Sequence, residues 1–183
     1  IKDDLNNLNL FKSVEILEKE LDDNMVKLDI NVEEKQTGSV NAGLSLGSLD
    51  GYALIAGLNE NNFYGTGRSL KAVVNTSENK TQYTFETTDR LILDNKIDFS
   101  FKADYKEQDF SKSSSYNLDT FTTGIGFGYD LNSDLRHNIS LDYLIKDYSI
   151  TNNSTVASSI QKSSGENVSF LLINNFNYNT LNP

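Results

Sequence analysis

Cysteine is absent from all 183 residues, and histidine and proline each occur once. The first absence excludes disulfide frameworks and thiolate metal sites, and it suits an oxidising envelope compartment. With no cysteine and with His137 alone, no zinc site of nitrogen and sulfur ligands can form; the histidine reads as an ordinary polar residue of a wall or turn. Basic residues are in deficit too. Sixteen Lys and Arg against 26 Asp and Glu give a net charge of −10, which argues against nucleic acid or an anionic membrane surface as partner. Long apolar runs are missing as well: stretches such as Leu54-Ile55-Ala56 fall far below the ~20 residues of a membrane-spanning helix. Mean hydropathy is −0.46. A transmembrane β-barrel escapes this exclusion, because only alternate residues of each strand face lipid.

Candidate chemistry is equally sparse. Gly65-Thr66-Gly67 is no nucleotide loop, since neither Lys-Ser/Thr nor a helix pattern follows it; its glycines suit positive φ in a turn. Glu33 and Glu34 are neighbours in a strand pattern and point to opposite faces, so they form no acid–base pair. No catalytic, metal-ligating or cofactor-binding residue emerges.

What is present is period-two alternation of two kinds. Val26, Leu28, Ile30 and Val32 alternate with Lys27, Asp29, Asn31 and Glu33, the pattern of a half-buried strand in a water-soluble domain. After Thr37-Gly38 the charges vanish. Val40, Ala42, Leu44 and Leu46 then alternate with Ser39, Asn41, Gly43 and Ser45, so the second face is small and uncharged, as in a barrel wall between lipid and lumen.

This junction, Val32-Glu33-Glu34-Lys35-Gln36-Thr37-Gly38-Ser39, and the segment Asn61-Asn62-Phe63-Tyr64-Gly65-Thr66-Gly67 are together similar to two motifs of the BamA family of outer-membrane protein assembly factors. In that family the first carries the chain from the last periplasmic POTRA domain into the first barrel strand. The second forms the periplasmic turn between the second and third strands, which places Asn62, Phe63, Gly65 and Gly67 in that turn. The resemblance implies that residues 1–36 are the C-terminal part of the last POTRA domain and that 37–183 are the N-terminal half of an outer-membrane barrel. It also implies that Ser39, Val40, Asn41, Ala42, Gly43, Leu44, Ser45 and Leu46 form a gate strand. In that family the gate strand opens from the last strand of the barrel and lends its edge to incoming chains.

By the same resemblance the function is folding and insertion of β-barrel proteins into the bacterial outer membrane, with no enzymatic step and no cofactor. The partners implied are unfolded or nascent outer-membrane β-barrel proteins, periplasmic lipoprotein subunits of the assembly complex, and outer-membrane lipid. The chain would sit in the outer membrane with its N-terminal part in the periplasm. Three other readings stay open: a POTRA-barrel polypeptide transporter of the same superfamily, a passive porin-like channel, and a soluble β-sandwich binding module.

Along the chain, Ile1, Leu5 and Leu8 make one stripe of a helix, Val14 and Ile16 open a strand, and Asp22-Asp23-Asn24 supplies a turn to the strand 25–33. The order resembles the end of a POTRA domain. Ile1 opens inside a helical pattern and Pro183 follows a strand, so the chain reads as an excerpt of a longer protein. Beyond Gly38 the alternation predicts a mainly β architecture of about eight antiparallel strands, at 39–46, 52–59, 69–76, 81–88, 97–106, 121–129, 139–145 and 168–178, with no helix between them. The lipid-facing set is expected to include Ile97, Phe99, Phe101, Phe121, Ile125 and Phe127. Charged side chains opposite the first three read as a wet interior, and Gly124, Gly126 and Gly128 as a site of close approach or curvature. Long polar connections at 107–115 and 149–167, against a tight one at 131–134, match the long outer loops and short periplasmic turns of outer-membrane barrels. The connection at 48–51 is short and breaks that rule. Tyr105, Tyr129, Tyr148 and Tyr178 gather at strand ends, as interfacial aromatics do.

Overall fold

The computed structural model describes residues 2–7, 10–22, 25–47, 51–92 and 97–180. Contacts divide the chain into two units, Ile1–Gly38 and Ser39–Pro183.

In the first unit a short helix α1 (Lys2–Asn7) packs on β1 (Phe11–Asp22), which pairs antiparallel with β2 (Met25–Glu34). Ile1 and Leu8 of the predicted helical stripe, and Asp23 and Asn24 of the predicted turn, lie outside the described residues. The register sets Val14 opposite Val32 and Ile16 opposite Ile30. The apolar alternation of the two strands thus meets on one face, where Val14 is buried while Ile30 and Val32 stay half exposed. Lys19 and Lys27 hold Asp29 at 2.9 and 2.8 Å and draw its carboxyl below the ordinary carboxylate range, Lys27 contributing most. The Lys35 amide donates to the Leu10 carbonyl at 3.1 Å and closes the end of the hairpin.

The second unit is one antiparallel meander of eight strands: β3 (Gly38–Gly47), β4 (Gly51–Glu60), β5 (Ser69–Ser77), β6 (Lys80–Ile92), β7 (Ile97–Asp109), β8 (Tyr116–Asp130), β9 (Leu135–Ile150) and β10 (Gly165–Tyr178). Each pairs with its sequence neighbours, so β3 and β10 are the two ends of the sheet. Turns at 61–68 and 131–134 lie where β3 begins, which we term the junction end; 78–79, 110–115 and 151–164 lie at the opposite, hairpin end. The connection predicted at 48–51 falls mostly outside the described residues.

All eight predicted strands are present, and several run further than their apolar alternation. The connections shrink accordingly, from 107–115 to 110–115 and from 149–167 to 151–164. Both contain a short helix that the alternation does not announce, α2 (Ser111–Ser114) and α3 (Ser158–Lys162). The connection between β5 and β6 is only two residues, so the rule of longer connections at the hairpin end fails there too. Where the connections are long they fold on each other. Amides of Thr151 and Asn152 donate to the Ser115 carbonyl, the Ser115 and Thr155 hydroxyls meet at 2.6 Å, and Val156 is buried.

Among the described residues no large side chain of the sheet is fully buried. A β-sandwich buries the inner faces of two sheets against each other; here there is one sheet, with one face rich in carbon and the other in charge.

Candidate functional site

The strand that the junction motif announces, β3, is the most exposed of the sheet: every residue from Ser39 to Gly47 is exposed on both faces. Val40 and Leu44 are 82% and 86% exposed. Among the described residues only β4 pairs with it, and the Asn41 side chain lies across Gly57 of that neighbour, where a Cβ would come within 2.7 Å of its Oδ1. A Cβ on Gly43 would meet nothing within 4 Å. Because alternate residues of an antiparallel strand direct both N–H and C=O to the same side, half of the β3 backbone faces its free edge. No described strand pairs with that edge.

The predicted turn motif joins β4 to β5. The Asn62 Oδ1 accepts from the Gly67 amide at 2.7 Å, the Asn62 amide donates to Glu60, and the Phe63 amide donates to the Arg68 carbonyl. Gly65 and Gly67 both have φ of +71°, the left-handed region that favours glycine. Between them and Phe63, Tyr64 also takes positive φ, and its ring rests edge-on against Phe63 at 4.5 Å.

The register brings Ile97, Phe99, Phe101, Phe121, Ile125 and Phe127 to one face, with Phe99 directly opposite Phe127, Phe101 opposite Ile125 and Tyr105 opposite Phe121. Ring contacts tie the face together, Phe99 to Phe127 at 5.5 Å and Phe85 to Phe101 at 6.3 Å. At its junction end Tyr129, His137 and Phe176 form a cluster: the His137 ring stacks on Phe176 at 4.3 Å, and its Nδ1 shares a 2.8 Å hydrogen bond with the Tyr129 hydroxyl. Three of the four predicted interfacial tyrosines share this face. Tyr148 does not; strand parity puts it on the other face, where it packs with Tyr116.

On the opposite face the glycines of β8 acquire a specific reason. Lys102 of β7 reaches across Gly124 to Asp142 of β9 at 2.7 Å, and a Cβ on Gly124 would lie 2.2 Å from Asp142 Oδ1. Gly126 and Gly128 likewise leave room for Ser100 from β7 and for Arg136 and Asn138 from β9. Arg136 pairs with Asp98 across the same strand and with Asp130 at 3.1 Å. Asp142 is only 3% exposed, and its Oδ1 has no hydrogen-bond partner. Glycine on this face signalled close approach, but Asp142 and Arg136 are visible as its cause only once the register is known. Among the described residues no three His, Asp or Glu side chains converge as a metal site would require.

A single antiparallel sheet of eight strands, carbon on one face and ion pairs on the other, fits the wall of a β-barrel of the outer-membrane type. The crystal structure of BamA from Haemophilus ducreyi lacking POTRA domains 1–3 has the same fold: TM-score 0.75, 21% identity, all of this chain and 38% of that one. The Omp85 superfamily domain profile matches residues 62–183, and the chain belongs to the Omp85 superfamily.

Among curated proteins it is 27% identical over 130 residues to the outer membrane protein assembly factor BamA of Neorickettsia risticii (strain Illinois), covering 71% of this chain and 18% of that protein. It is 26% identical over 144 residues to the same-named factor of Buchnera aphidicola subsp. Acyrthosiphon pisum (strain APS), covering 78% and 21%. The chain therefore spans about a fifth of the length of these relatives.

Proposed function

We propose that this chain is the junction and N-terminal half-barrel of a BamA-type assembly factor, which folds and inserts β-barrel proteins into the bacterial outer membrane by offering β3 as a template. On this reading residues 1–36 are the end of the last POTRA domain, in the periplasm, and 37–183 stand in the outer membrane. The apolar face with Phe101 and Ile125 meets lipid. Client proteins are unfolded or nascent outer-membrane barrels, and periplasmic lipoprotein subunits complete the machine; nucleic acid has no part in it.

The observation that carries the proposal is β3 itself. It follows directly on the junction at Gly38, its residues are small and uncharged, and among the described residues it is an end strand of the sheet, paired with β4 alone as β10 is with β9. Each N–H or C=O left unpaired in hydrocarbon costs several kcal/mol, so an incoming strand with an open edge is strongly disfavoured in lipid until it finds a partner. The free edge of β3 supplies such a partner through backbone groups alone, as in β-augmentation. No covalent chemistry is required.

A polypeptide transporter of the same superfamily shares the wall but needs no edge to lend, so the two readings separate experimentally. Proline at Ala42 or Gly43 removes a ladder donor and fixes φ. In the full-length protein these variants should fail to support growth when the wild-type copy is depleted, while Ser45→Thr supports it. Full assembly activity in both proline variants refutes templating by β3.

A further inference from the structure

The apolar face is not uniformly filled. Ala72 and Ala103 stand among large rings, Ala72 and Ala103 both opposite Phe85, and one rung nearer the hairpin end Tyr83, Tyr105 and Phe121 lie in a row. The short side chains leave a hollow of about 310 Å³, floored at the two alanines and walled by Tyr83, Phe85, Tyr105 and Phe121. Phe85 leans edge-on against Phe101 and bounds it toward the junction end.

The next rung changes character. Glu107, Asp119, Asp147 and Glu166 stand directly opposite one another across β7, β8, β9 and β10, all four exposed and on the same face as the hollow. None has an ion pair among the described residues, although like charges opposite each other weaken strand pairing. The Tyr105 hydroxyl donates to Glu107 at 2.9 Å and joins the hollow to this row.

We propose that the hollow holds one acyl chain of a phospholipid whose headgroup carries a primary ammonium, with the ammonium seated over Glu107 and Asp119. The proposal rests on the lipid-facing reading of this face. A chain lying along the strands toward the hairpin end fills the carbon-lined hollow and brings its headgroup to the carboxylates. Their charge selects a cationic group over an anionic one. A headgroup without an ammonium gains nothing there.

The test uses full-length protein reconstituted in bilayers of equal phosphatidylethanolamine and phosphatidylglycerol, extracted in mild detergent and read by native mass spectrometry. Wild type should retain phosphatidylethanolamine over phosphatidylglycerol by up to about fivefold, the ratio one partly exposed ion pair supplies. Ala103→Phe, which fills the hollow, should lose the retained lipid; if it does not fold, Ala72→Leu fills the other end and carries the same expectation. The pair Glu107→Gln and Asp119→Asn should keep the lipid and lose the preference. Equal retention in wild type and the filled variants, no headgroup preference in wild type, or capture of client protein instead of lipid by a photoreactive residue at 103 overturns the assignment. Photoreactive residues at Phe101 and Ile125 separate the two levels of failure. If they label lipid while the hollow retains none, only the hollow is wrong; if they label none, the lipid-facing reading falls with it.

Discussion

Replacing Gly124 with alanine would put a methyl carbon 2.2 Å from Asp142 Oδ1 and 3.1 Å from the Leu141 carbonyl oxygen. Neither neighbour yields cheaply. The carbonyl belongs to the β9 backbone, and the Asp142 side chain, 4% exposed, is anchored at 2.7 Å by Lys102. To admit the methyl group Asp142 must leave Lys102 or β9 must shift. Overpacking of this kind costs about 1–3 kcal/mol. The ion pair itself adds little beyond that, because Lys102 is 41% exposed and solvent screens it.

Gly43→Ala is the internal control, since among the described residues its Cβ meets nothing within 4 Å; removing a strand glycine there should leave stability within roughly 0.5 kcal/mol or raise it slightly. Urea unfolding of the full-length protein in lipid vesicles, followed by the heat-modifiable gel band, measures both. A double-mutant cycle identifies the cause: in an Asp142→Ala background the cost of Gly124→Ala should fall by about 1 kcal/mol or more. If Gly124→Ala unfolds with Gly43→Ala, or if its cost is unchanged without the Asp142 carboxylate, the account of the glycine stripe is wrong.

Three other outcomes follow from the same geometry. Phe101→Arg should cost on the order of 2–4 kcal/mol if that face meets the bilayer core, whereas Lys106→Ala, on the opposite face and without an ion pair among the described residues, should cost little in the same unfolding assay. Lys102→Ala should cost more than Lys106→Ala, because it leaves Asp142 buried with neither oxygen paired. Asn62→Ala removes the acceptor of the Gly67 amide and should lower stability by roughly 0.5–1.5 kcal/mol, read as a shift of the urea midpoint.

The strands were legible because an apolar and a polar face write themselves into every second residue. β7 is the clearest case, Ile97, Phe99 and Phe101 alternating with Asp98, Ser100 and Lys102. Strand ends were not legible for the same reason. Tyr116 to Thr120 and Lys146 to Ile150 continue the ladder with Tyr116, Leu118, Tyr148 and Ile150 on the face that is polar further along the strands, so the alternation changes face before the pairing ends. The helices α2 and α3 are four and five residues long, too short to show a period and held by the loops around them. The glycine face of β8 was visible, but its occupants come from other strands, and only register connects Lys102 through Gly124 to Asp142. For β3 the sequence signal was the loss of charge after Gly38. That signal marks a change of surroundings and says nothing of which edge is free.

The central claim is that β3 lends its backbone edge to client chains, and photo-crosslinking in cells tests it most directly. Photoreactive residues introduced one at a time from Ser39 to Leu46 of the full-length protein should capture folding barrel proteins in a ladder along the strand, while the same residue at Phe99 or Phe101 of β7 captures none. Equal capture at β3 and β7, or none at β3, would mean that the first strand is wall like the rest.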